Sequence, residues 1–274
     1  MENVFTEIIS SFQYSFVQKA VLGGVFTALS CSILGVFLVL KKQSFIGDGL
    51  AHISFTSVAA AFLMGTLPIL VSLPTVILAS ILILKIDEKA KINSDAAVAL
   101  VASFIFAVGI IVVSISKGFN LDIYGYLFGS ILTITNIELI ISGLITLFII
   151  SVIVLFYNEL FVSVFDSDFA VVSGIEISKI NYIMAIITSI IIVTGIKVVG
   201  TMLISSMIVF PAVTSLQISK GFKNTIFLSA VIAVFSVISG IIFSILFNIP
   251  AGASIVVSNG IIFAAIFLWK IFYK

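Results

Sequence analysis

Asp48 and His52, the latter the only histidine in 274 residues, stand four positions apart. On a helix that spacing places a carboxylate and an imidazole one turn apart on the same face. Oxygen and nitrogen donors together suit borderline divalent ions such as zinc, manganese and iron(II). The pair falls near the start of an apolar block at 45–64, where ionisable groups are costly unless they are partnered, face water or hold an ion. Such ions take four to six ligands, and one Asp with one His supplies two. A two-fold pair of chains would present two carboxylates and two imidazoles, and two aspartates would balance one divalent charge. The competing reading is that Asp48 and His52 bond only each other near a helix start; spacing leaves both open. Other chemistry is scarce. One histidine cannot furnish the usual hydrolytic sets. Cys31, the only cysteine, permits no intrachain disulfide and no Cys-rich zinc site. No Gly-x-x-x-x-Gly-Lys-Ser/Thr loop occurs, so ATP would have to be held by a partner, and the chain is not expected to be an enzyme or to bind a permanent cofactor.

The elements that position this pair belong to a membrane. The chain is 61% hydrophobic and 9% charged, with a mean hydropathy of +1.39, whereas soluble domains carry about 25% charged residues. At roughly 20 apolar residues per crossing, the length leaves room for about eight to ten spans. Apolar blocks lie at 20–40, 45–64, 67–84, 95–115, 134–157, 180–195, 198–217, 225–247 and 253–271. This reads as one all-α, multi-pass domain over 1–274 in the cell membrane, with eight to nine transmembrane helices and nine favoured. Fusing 180–217 would give eight, so Lys197 and Gly200 mark the least secure boundary. With nine crossings, Lys41, Lys42, Lys85, Lys89, Lys91, Lys179, Lys220, Lys223, Lys270 and Lys274 fall inside, and Lys19, Lys117 and Lys197 outside. A net charge of +1 offers no basic surface for nucleic acid. The segment Met1 to Lys19 is acidic and amphipathic, so no removable signal peptide is expected there.

Two stretches depart from plain hairpins. Residues 119–133, broken by Gly125 and Gly129, are too short to span and could re-enter the membrane or form an outer loop with an aromatic anchor. Residues 158–179 form the longest polar connection, with Glu159, Asp166, Asp168, Glu176 and Lys179. Gly200, Pro211 and Gly240 read first as close packing or kinks and second as hinges. Ser205 and Ser206 could line a path, although serines in membrane helices commonly bond backbone.

The run Gly35 to Leu40, Lys41-Lys42-Gln43-Ser44-Phe45-Ile46-Gly47-Asp48-Gly49-Leu50-Ala51-His52 resembles the start of the metal-ion ABC permease family, which serves zinc, manganese and iron uptake. In the family's order follow Tyr126-Leu127-Phe128-Gly129, Phe165-Asp166-x-Asp168-x-Ala170-x-x-x-Gly174, Val198-Val199-Gly200-Thr201-Met202-Leu203 leading to Phe210-Pro211-Ala212, and Pro250-Ala251-Gly252-Ala253. The resemblance runs from about residue 15 to the C-terminus. It implies a homodimer docked on two ATP-binding cassette subunits and fed by an extracytoplasmic solute-binding protein. It also implies that Asp48 and His52 contact the transported manganese, zinc or iron ion, and that 159–179 is a cytoplasmic loop whose Asp166, Asp168, Ala170 and Gly174 couple to the ATPase. Asn248 stands where the family often has an acidic residue before its Pro-x-Gly turn.

Two rivals remain at this point: a secondary transporter driven by an ion gradient, and a membrane interaction protein that transports nothing. The first usually shows inverted repeats and discontinuous helices, and no convincing internal repeat is found.

Overall fold

A computed structural model describes residues 10, 13–90, 92–115, 125–127, 129, 134–201 and 203–273. The helices are α1 Ser15–Leu40, α2 Ile46–Leu63, α3 Pro68–Ala90, α4 Ser94–Ile115, α5 Asn136–Leu155, α6 Tyr157–Phe165, α7 Ser167–Val172, α8 Ile177–Val199, α9 Ile204–Ile218, α10 Phe222–Phe247 and α11 Ala251–Tyr273. Eight are long and apolar enough to cross a membrane; α9 is the shorter apolar one. Its 15 residues rise about 22 Å, less than the roughly 30 Å hydrocarbon core. Among the described residues the structure thus gives eight span-length helices where the sequence favoured nine, not because 180–217 fuses, since α8 and α9 are separate, but because α9 is too short to cross alone.

Buried α1 is the hub. It packs against α5, α8, α9 and α10, while α2 packs against α3, α4, α8 and α9. Bulky apolar side chains such as Phe104, Leu147, Phe235 and Trp269 point outward, as a lipid solvent allows and water does not. Lys41 at the end of α1 donates to Asn181 at the start of α8 (2.7 Å), and Lys270 near the end of α11 donates to Gln217 near the end of α9 (2.7 Å). These bonds bring lysine-bearing helix ends together in pairs. At the other end of α8, Lys197 pairs with Glu138 in the first turn of α5. Glu138 also completes a capping box with Thr135, so both carboxylate oxygens have donors.

The apolar block drawn from 198 divides differently. Val198 and Val199 finish α8, Gly200 follows at φ +97°, and α9 begins at Ile204. Lys197 and Gly200 mark the boundary in the sequence, and the left-handed backbone at Gly200 places the break after Val199 rather than at 196–197. Asn248, at φ +53°, ends α10 in the left-handed region that asparagine tolerates better than most residues. Lys91, Lys117, Met202, Phe128, Lys274 and most of 119–133 lie outside the described residues. Of that segment, 125–127 is helical, and the Tyr126 carbonyl accepts from Thr201 N–H at 2.9 Å.

Candidate metal site and coupling segment

Glycines set the position of α2. A Cβ on Gly49 would lie 2.3 Å from Val98 Cγ1 of α4, and one on Gly109 of α4 would lie 2.2 Å from Thr56 Oγ1 of α2. The helices therefore approach more closely than side chains permit. Thr56 adds a hydroxyl bond to the Ile105 carbonyl at 2.9 Å. On its other flank α2 meets α9, where Gly47 faces Ser205 and Ile208. Behind them Gly35 of α1 abuts the Ile208 carbonyl, with only 2.1 Å to a Cβ built there.

Asp48 and His52 lie between these contacts. Asp48 Oδ2 is 3.5 Å from His52 Nε2, and Ser205 Oγ donates to Asp48 Oδ1 at 3.4 Å. The imidazole rests against Phe106 of α4, centroids 4.6 Å apart. The spacing expectation is met: carboxylate and imidazole share one face. Neither is sealed, since the Asp48 side chain is 41% and that of His52 32% exposed in a single chain. Among the described residues no group of three or more His, Cys, Asp or Glu gathers, so one chain offers two strong ligands and a hydroxyl. Ser205 comes to Asp48 from 157 residues away. The sequence marked it as a possible path residue, but only folding gives it that neighbour, and Phe106 carried no sequence signal.

The second region is built from turns. Asp166 is the N-cap of α7, its carboxylate accepting from Phe169 N–H at 2.9 Å. The helix ends in a Schellman motif: Ile175 N–H reaches the Ala170 carbonyl, Gly174 N–H the Val171 carbonyl, and Gly174 sits at φ +82°. Ala170 is fully buried, while Asp168 is exposed in the first turn. Of the four residues singled out, then, two are caps, one packs inward and one is exposed. The outward apolar surface comes from Phe169, Val171 and Val172, the last 86% exposed. These three carried no signal in the sequence, because apolar residues are unremarkable in so apolar a chain.

Residues 13–272 match the ABC 3 transport family. The chain belongs to that family. It is 31% identical over 257 residues to the manganese transport system membrane protein MntC of Listeria monocytogenes, covering 94% of this chain and 91% of the relative. It is 26% identical over 250 residues to the high-affinity zinc uptake system membrane protein ZnuB of Haemophilus influenzae, covering 91% and 96%. The solved structure of PsaBC from Streptococcus pneumoniae in complex with Fab superposes with a TM-score of 0.86 at 28% identity, covering 96% of this chain and 95% of that one. The family resemblance read from five short motifs is therefore correct, and as an ABC 3 member with eight candidate spans the chain is a multi-pass membrane protein.

Proposed function

We propose that this chain is the membrane permease of an ATP-driven importer of divalent metal ions, with Asp48 and His52 contacting the ion in transit. The observation that carries the site is the half-open carboxylate–imidazole pair on one face of α2, beside the Ser205 hydroxyl. An ionisable pair open at a helix surface within a span calls for a water-lined path, a partner or an ion. Manganese and zinc follow from what the relatives are named for; iron(II) accepts the same donors. The incomplete ligand set of one chain favours a homodimer, in which two-fold symmetry doubles the donors across the path. The ATPase is a separate subunit, two copies for two permeases, docking on the exposed apolar face of α7 by helix-in-groove contact. A solute-binding protein supplies the ion from outside. With the family match in hand, the gradient-driven and non-transporting readings lose their support.

The test is Asp48→Ala and His52→Ala, each scored by whole-cell manganese and zinc uptake against protein level. Each is expected to reduce uptake to background while the protein still inserts and assembles, because symmetry removes two ligands at once. Near-normal uptake by both variants would return the pair to a structural contact.

A further inference from the structure

Phe222, the first residue of α10, is where the aromatic rings of the α7 side of the molecule converge. Tyr157, Phe161 and Phe165, all on α6, lie 5.6, 5.2 and 5.7 Å from it between centroids. Phe37 of α1 closes the cluster at 5.3 Å, edge to face. Phe161 and Phe165 also touch each other at 4.8 Å, and Lys223 lies 5.3 Å over the Tyr157 ring. Among the described residues, α6 makes a local side-chain hydrogen bond, Ser163 to the Leu160 carbonyl. Phe37 is fully buried and Tyr157 and Phe222 are half-buried, while Phe161 and Phe165 keep one side exposed; edge and offset contacts favour the rings moving together when one is displaced.

The contact leads inward through α1. Phe37 is fully buried, and Gly35, two residues away, faces the opposite side of α1, directly against the Ile208 carbonyl of α9. Ile208 is one turn from Ser205, whose hydroxyl reaches Asp48. Glycine at position 35 leaves no compressible side chain between the two backbones.

We propose that Phe222 is a positioning residue for coupling: it receives the movement of α6 and α7 and transmits it through Phe37 and α1 to α9 and the Asp48–His52 pair. This rests on the reading of α7 as the ATPase-docking element. Its role is to keep the four other rings in contact, so its removal should loosen transport from hydrolysis without removing a ligand of the ion.

The experiment uses the permease assembled with its ATP-binding subunits in proteoliposomes, measuring manganese(II) taken up per ATP hydrolysed. Phe222→Ala is expected to assemble and hydrolyse ATP within about twofold of wild type, yet to lose about tenfold in uptake per ATP, in the range such coupling residues reach. Phe222→Trp, which restores ring contact, should recover most of the ratio. An unchanged ratio in Phe222→Ala overturns the proposal. Should that variant fail to assemble, Phe222→Leu, which keeps the bulk without the ring, is scored in its place, and an unchanged ratio there overturns it equally. Val172→Asp tests the underlying docking reading separately: loss of ATPase co-purification supports it, and normal co-purification overturns it while the Phe222 ratio is still read on its own.

Discussion

The Asp48–His52 corner and the α6–α7 segment are organised in opposite ways. At the corner, four helices (α1, α2, α4 and α9) meet through glycines, and the neighbours that matter are far apart in sequence: Gly35 against Ile208, Gly49 against Val98, Ser205 against Asp48. In the segment, the shape comes from bonds within a few residues: Asp166 to Phe169, Gly174 to Val171, Ile175 to Ala170. One region tolerates no added atoms because a Cβ would meet backbone at Gly35 and side chains at Gly49 and Gly109. The other has room: a Cβ at Gly174 would meet nothing within 4 Å. Packing there is replaced by conformation, so the same residue type, glycine, is required for space in one place and for its dihedral angle in the other.

The sharpest way to break the comparison is Gly35→Ala. A methyl group has no place 2.1 Å from a backbone carbonyl, so α1 and α9 must separate, costing about 3 kcal/mol, the upper end for overpacking. A marked fall in thermal stability in detergent, with loss of uptake, is expected. Wild-type stability would mean that the two helices part easily and that the corner is not held by contact.

Gly174→Val should cost less, about 1–2 kcal/mol, because the penalty is a left-handed conformation for a β-branched residue rather than a clash. The expected signature is faster proteolysis within 157–176 with an unchanged global melting temperature. A global loss equal to that of Gly35→Ala would erase the distinction between the regions.

The smallest effect is expected from Asp166→Ala, which removes one cap and about 1 kcal/mol. Asp166→Asn, which keeps an accepting oxygen, should restore most of it. If instead Asn fails as fully as Ala in ATPase co-purification, the carboxylate acts as a charge toward the partner and not as a cap.

The sequence alone carried the fold class, because 61% hydrophobic content in blocks of span length admits only helices that satisfy their own backbone. It carried the Asp48–His52 face, because helical periodicity converts a spacing of four into proximity without any tertiary information. Asp166 and Gly174, singled out only by the family resemblance, frame α7 through bonds to their own neighbours. Some things lay beyond it. The sequence marked a boundary at Lys197 and Gly200 but not where it falls, which the backbone places after Val199, and the seat of Ser205 on Asp48 depends on which helix α9 packs against. The ring cluster at Phe222 joins residues from α1, α6 and α10; with 26 phenylalanines in the chain, none is distinguished until three helices bring particular ones together. Local rules determine what a residue does to its own turn. Only the packed structure decides which distant backbone or ring it touches, because that depends on helix approach distances that hydropathy does not encode.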